Sequence, residues 1–144
     1  MPIIIDANRA GDFTAPLLGH AEEILRRLKN RSIRIVSGGK LHRELSRTRF
    51  REILIELQRV GRLVRVDDHL VDADEQVVIS AGTRSDDPHV IALMRMSGCR
   101  LIYTDDNALI EDIGDAKLVS PIGCALKSTT SVWHVRYHLG SSGT

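Results

Sequence analysis

The sequence predicts an α/β fold of three layers (α/β/α), with helices on both faces of a mainly parallel central sheet. Three observations point there. Short runs rich in Ile, Val and Leu alternate along the chain with longer stretches of helical periodicity. The first of those runs, Ile3-Ile4-Ile5, is apolar at consecutive positions, the pattern of a strand buried on both faces. The chain is 144 residues long, with 42% hydrophobic and 27% charged residues, which suits one soluble globular domain that needs no disulfide or structural metal.

Residues 2–5 form the first predicted strand, ending at Asp6, and a polar turn with Gly11 and Asp12 follows. Residues 16–29 place Leu17, Leu18, Ala21, Ile24, Leu25 and Leu28 at helical spacing, with Pro16 tolerated in the first turn. Ile33-Arg34-Ile35-Val36 is a second strand, broken by Ser37-Gly38-Gly39. A single long helix is expected over 41–60, stopped by Gly61. Leu63-Val64-Arg65-Val66 is a third strand, and 67–80 a helix opened by Asp67 and Asp68. Ser85-Asp86-Asp87-Pro88 opens another helix, Leu101-Ile102-Tyr103-Thr104 is a fourth strand, and a short helix covers 107–113. Lys117-Leu118-Val119 is expected as a fifth strand. Residues 132–139 alternate apolar and polar and are expected as a strand, with His134 and His138 on its wet face. Residues 140–144 read as a frayed tail.

Several classes are excluded by composition. The longest uncharged apolar run covers residues 1–5, so neither a membrane span nor a signal peptide is expected. Two cysteines, Cys99 and Cys124, with no paired spacing rule out a disulfide framework, give no zinc-finger signal, and point to a reducing, cytoplasmic setting. Five aromatics argue against a surface that grips single strands mainly by stacking. The net charge of +1 hides an asymmetry: residues 26–65 carry thirteen Lys/Arg against three Glu, and residues 67–115 twelve Asp/Glu against three Arg. A basic segment suits a polyanion and an acidic one suits metal ions, although offsetting solvated faces would look the same.

The acids fall in informative places. In an open parallel sheet, ligands collect at the carboxyl ends of the strands. Asp6 follows the first strand, Asp105 and Asp106 the fourth, Glu44 lies early in the helix after the second, and Asp86 and Asp87 open the helix leading into the fourth. Each has an ordinary reading as a helix cap or a solvated residue. Together, carboxylates facing one pocket would raise one another's pKa, a conflict that a divalent cation removes. An all-oxygen donor set favours Mg²⁺ or Mn²⁺ over zinc.

The stretches Ile3-Ile4-Ile5-Asp6-Ala7-Asn8, Ser37 through Glu44-Leu45, Asp87-Pro88-His89-Val90-Ile91-Ala92 and Leu101-Ile102-Tyr103-Thr104-Asp105-Asp106 together resemble a PIN domain. That small nuclease fold occurs in toxins of bacterial toxin–antitoxin pairs and in other RNA-processing proteins. The resemblance covers about residues 2–120, which implies a nuclease core over 1–120 and a C-terminal extension, 121–144, packed on the same domain. It implies that Asp6, Glu44, Asp87 and Asp106 are the catalytic and metal-binding acids, with Thr104 as their small polar neighbour. Asp86 and Asp105 duplicate two of the acids and stay open as site residues. Leu109 stands where many toxins of the family carry Phe, and 121–144 has no counterpart in the core motifs.

The resemblance further implies Mg²⁺- or Mn²⁺-dependent hydrolysis of RNA phosphodiester bonds, with an antitoxin protein as partner; a non-catalytic PIN-type module that binds RNA or protein is the alternative. Arg9, Lys40, Arg43 and Arg47 are the expected substrate contacts, because they flank Asp6 and Glu44. His89 is expected to cap or pack. The apolar face Trp133, Val135, Tyr137 and Leu139 is expected to seat a second copy in a homodimer, or an antitoxin. A receiver-type phosphoacceptor does not fit, since the first strand ends in a single Asp6.

Overall fold

Consecutive β-branched residues, with no polar position to present to water, make Pro2–Ile5 (β1) the centre of the sheet: Ile3, Ile4 and Ile5 are all fully buried. In the computed structural model, which describes residues 1–140, β1 pairs in parallel with Arg34–Gly38 (β2) on one side and Leu101–Tyr103 (β4) on the other. Leu63–Val66 (β3) extends the sheet beyond β2, and Cys124–Leu126 (β5) extends it beyond β4. The order is β3-β2-β1-β4-β5, all parallel, with helices on both faces. Register is direct: Ile4 faces Ile102, Ile5 faces Tyr103, and Tyr103 faces Leu126.

Successive strands step outward from β1 through β2 to β3, and the chain then crosses back to lay β4 on the other side of β1. That reversal puts the topological switch point between β1 and β4, where the crevice of such a sheet opens at the carboxyl ends.

The helices are α1 (Ala21–Lys29), α2 (Gly39–Ser46), α3 (Phe50–Arg59), α4 (Asp68–Ala81), α5 (Pro88–Ser97), α6 (Asn107–Ile113) and α7 (Val132–Leu139), with a 3₁₀ turn over Ala7–Phe13. The fully buried run from Val90 to Met94 marks α5 as a core helix. No helix among the described residues is long and apolar enough to cross a membrane.

Four expectations are corrected. The helix expected over 16–29 begins only at Ala21, because Leu18 N–H donates to the Asp12 carbonyl and holds 14–20 in an irregular loop. The single helix expected over 41–60 is two: Thr48 Oγ1 donates to the Leu45 carbonyl at 2.7 Å and accepts from Phe50 N–H at 3.1 Å, which ends one helix and starts the next. Lys117-Leu118-Val119 is a turn closed on the Asp115 carbonyl, and the fifth strand lies at Cys124–Leu126, so the segment expected as an extension supplies the sheet's edge. Residues 132–139 form a helix, not a strand: Ser131 Oγ caps it by accepting from His134 N–H, and Val135 and Leu139, one turn apart, are the residues it buries. Val135 therefore packs inward and cannot share a face with Trp133 and Tyr137. Of the expected frayed tail, residues 141–144 lie outside the described residues.

Candidate active site

Asp6 leaves the end of β1 with its side chain almost fully buried. Thr104, the residue after β4 and itself fully buried, donates from Oγ1 to Asp6 Oδ2 at 2.6 Å and accepts from Asp106 N–H at 3.1 Å. One hydroxyl thus joins the ends of the two strands that flank the switch point. Asp106 Oδ1 accepts from Leu109 N–H at 3.1 Å and caps α6, which fixes its carboxylate at a helix N-terminus.

Asp87 occupies the cap position of α5, with Pro88 in the first turn, yet its carboxylate makes no capping bond. The ordinary explanation for an Asp before Pro does not apply to this side chain. The loop that carries it is held from α6: Asp112, 0% exposed, accepts Arg84 N–H and Ser85 N–H, each at 2.9 Å, and Ser85 Oγ accepts Asp87 N–H at 3.4 Å.

Glu44 sits on α2 and reaches across to α5, where His89 Nε2 lies 2.8 Å from Glu44 Oε1. His89 is 1% exposed, and its Nδ1 is buried without a hydrogen-bond partner among the described residues. The tautomer that leaves fewest groups unsatisfied has Nε2–H donating to the carboxylate, because a proton on Nδ1 would be a buried donor with no acceptor.

The four acids feel one another. Burial pushes the Asp87 carboxyl above its ordinary value, and the charges of Asp6, Asp106 and Glu44 push it further, with His89 opposing. Burial likewise raises Asp6, with the Asp106 charge adding to it; hydrogen bonds from Thr104 and the Asn8 backbone pull the other way. Asp6, Glu44, Asp87 and Asp106 are therefore one electrostatic cluster at the carboxyl ends of β1 and β4. They do not converge to coordination distance: among the described residues, no three His, Cys, Asp or Glu side chains stand close enough to hold a metal ion. Thr104, His89 and the α6 cap each hold a carboxylate in its own place.

The duplicate acids separate. Asp105 turns away, accepting from Ser128 N–H at 2.7 Å and from Ser128 Oγ, and it pairs with Arg9 at 3.0 Å. These contacts lower its pKa against the opposing effect of burial. Its work is to pin the loop between β5 and α7 to the end of β4. Asp86 is exposed, and nothing among the described residues binds its carboxylate.

The basic residues also separate. Arg9 is spent on Asp12 and Asp105, and Arg43 on Asp68 and Asp72 of α4, so neither stands free for substrate. Lys40 and Arg47 are exposed and make no ion pair or side-chain hydrogen bond among the described residues. They lie four residues before and three after Glu44, Lys40 in the first turn of α2 and Arg47 at its C-terminal cap. Arg49 and Arg51 continue the unpaired basic run beyond α2.

Two contributors escaped the sequence reading. Asp112 had a signal: it is a carboxylate on the buried stripe of α6, with Leu109 and Ile113. The role of His89 had none, because its partner is 45 positions away. Comparison with protein-family models, curated proteins and solved structures finds no match to this chain.

Proposed function

We propose that the protein is a metal-dependent endoribonuclease of PIN type that hydrolyses RNA phosphodiester bonds at the carboxyl ends of β1 and β4. One observation carries the reading: Asp6, Glu44, Asp87 and Asp106 come from four separate segments to the switch point, where burial first and the charge of neighbouring acids second raise Asp6 and Asp87. Such burial of like charges works against folding unless a ligand of opposite charge offsets it. The donor set is all carboxylate oxygen, which suits Mg²⁺ or Mn²⁺; since no three of these side chains stand within reach of one ion among the described residues, they would hold it partly through its retained waters or by closing on it. When bound, such an ion supplies a water of lowered pKa and neutralises charge on the phosphoryl oxygens.

This chain's own side chains do the rest. Thr104 orients Asp6, and His89 orients Glu44. Asp87 accepts no hydrogen bond among the described residues and so keeps both oxygens for a ligand. Lys40 and Arg47, without ion pairs among the described residues, would take phosphates on either side of Glu44. The narrower reading, a toxin with a protein antitoxin, is tested by whether a short reading frame adjoins the gene upstream.

The test is titration calorimetry with Mn²⁺ on the wild type, Asp6→Asn and Asp106→Asn, together with cleavage of a short RNA. Both substitutions keep the local hydrogen bonds, since Asn still accepts from Thr104 and still caps α6. The expected result is Mn²⁺ binding weakened by about tenfold or more in each variant, with cleavage lost in parallel. Unchanged affinity in both refutes the assignment. The separation of the four carboxylates favours a second reading, a PIN-type module that binds RNA without cutting it. RNA binding that is indifferent to Mn²⁺, with the strand left intact, would select that reading.

A further inference from the structure

The helix that was expected to be a strand leaves two aromatic rings in solvent. Trp133 is 81% exposed and Tyr137 78% exposed, although only five aromatics occur in the chain. They are four residues apart on α7, so their Cβ atoms are about 6 Å apart on one face. The opposite face, Val135 and Leu139, is buried. The Tyr137 ring meets the His138 ring perpendicularly, with centroids 5.3 Å apart.

We infer that Trp133 and Tyr137 form a two-base stacking platform for single-stranded RNA, one that adds to phosphate contacts instead of gripping the strand mainly by stacking, and that takes bases of the strand whose phosphate lies at the acidic cluster. The inference deepens the ribonuclease reading and rests on it for the identity of the ligand. Three observations select this occupant. The first is charge. From residue 116 to the end of the chain there is no Asp or Glu, while Lys117, Lys127, Arg136, His134 and His138 fall in that stretch. Across α7, Glu22 and Glu23 of α1 share a groove with Val132, Val135 and Arg136, and Glu23 is already paired with Arg26 and Arg27, so the positive charge a polyanion would meet here is that of Arg136 on α7 itself.

The second is position. Asp105 holds Ser128 at the end of β4, and Lys127 Nζ donates to Asn107 Oδ1 at 3.0 Å, one residue past Asp106. The five residues from Ser128 to Trp133 span at most about 18 Å. The platform thus starts at the same sheet edge as the acids. The third is area. Two aromatic side chains cover about 300–500 Å², well below the roughly 800 Å² that each partner of a stable protein dimer buries. That is ample for one base on each ring, since stacking on aromatics needs only a free π-face.

Trp133 is the chain's one tryptophan, so its fluorescence reports on this face alone. The experiment titrates an eight-nucleotide single-stranded RNA of mixed sequence into the full-length protein in EDTA, following Trp133 emission. Anisotropy of the same RNA carrying a 5′-fluorescein gives affinities for Trp133→Ala, Tyr137→Ala and Trp133→Phe. The expected result is saturable quenching, affinity weakened by about 5- to 150-fold in each Ala variant, and most of the affinity kept in Trp133→Phe. The salt slope should be the same in all four proteins, because stacking releases no counterions.

RNA that binds without quenching Trp133, and equally tightly to both Ala variants, overturns the platform while leaving the ribonuclease reading standing. Quenching that follows protein concentration without RNA, with sedimentation at twice the monomer mass, also overturns it and gives the face to a second copy. Quenching by RNA that is never cleaved in Mn²⁺ upholds the platform and sinks hydrolysis. No RNA binding at all overturns both.

Discussion

Replacing Asp112 by Ala tests how the loop bearing Asp87 is held. The carboxylate is fully buried on α6 and accepts two backbone N–H groups, from Arg84 and Ser85, each at 2.9 Å. A hydrogen bond to a charged group is worth about 1.5–3 kcal/mol, and a buried donor left without an acceptor loses about that much. Ser85 is buried and loses its bond outright; the half-buried Arg84 N–H recovers part of its loss from water. The Arg84 guanidinium keeps Asp115 at 3.3 Å, so the exposed ion pair adds little. The total is about 3–4 kcal/mol, or roughly 10–15 °C in Tm for a domain of this size. Urea unfolding measures it as a lower midpoint at unchanged slope. Asp112→Asn should lose about half as much, since it keeps one acceptor oxygen and turns a donor toward the second N–H. Mn²⁺ affinity should fall as well, because Asp87 rides on the freed loop. A loss below about 1 kcal/mol in Asp112→Ala would show that the packing of α5 alone positions Asp87.

In EDTA, Asp6→Asn should gain stability relative to the wild type as pH rises from about 4 to 7: with its pKa raised in the folded state, Asp6 supports folding below its unfolded value and loses that contribution as pH climbs through the folded one. Parallel thermal melts across that range would read it, and a constant difference between the two proteins would contradict the coupling. The Glu23 carboxyl, lowered to about 2 by hydrogen bonds from Arg26 and Arg27 against the pull of burial, acts in the opposite sense; it supports folding above its ordinary value, and Glu23→Gln should remove part of the stability lost between pH 4 and 2. Neutralising Lys40 and Arg47 together should flatten the slope of log K against log[salt] for RNA by about 1–2 units, at roughly 0.7 per phosphate contact on a single strand. Neutralising Arg43, already paired with Asp68 and Asp72, should change that slope far less, and an equal effect would refute the assignment. Gly39→Ala should destabilise by about 2–4 kcal/mol, because φ is +56° there and a Cβ would lie 2.6 Å from Val71 Cγ1. A loss under 1 kcal/mol by urea unfolding would mean that α2 and α4 can part at that point.

What the sequence by itself determined was the fold class and the acids at the strand ends. Runs such as Ile3-Ile4-Ile5 can satisfy their backbone and bury every side chain only in a covered parallel sheet, so β1, β4 and the outline of the crossovers followed from local pattern. Asp6 was visible because it directly follows such a run, and the pair Asp105-Asp106 because it follows the next one after Thr104. Tertiary structure decided whatever depended on a partner distant in sequence. Val132–Leu139 satisfies a strand's alternation as well as a helix's spacing; eight residues do not separate the two, and the burial of Val135 and Leu139 together with the Ser131 cap made it helical. The break between α2 and α3 carries neither Gly nor Pro, and it turns on one Thr48 hydroxyl. Likewise, nothing local distinguishes Asp105 from Asp106: Ser128 and Arg9 engage the first, and α6 caps itself with the second. His89 meets Glu44, and Asp112 meets Ser85, only after the sheet has brought α2, α5 and α6 together. Periodicity records which face of an element is apolar, whereas a hydrogen bond between elements needs two positions matched in space, and that matching exists only in the folded chain.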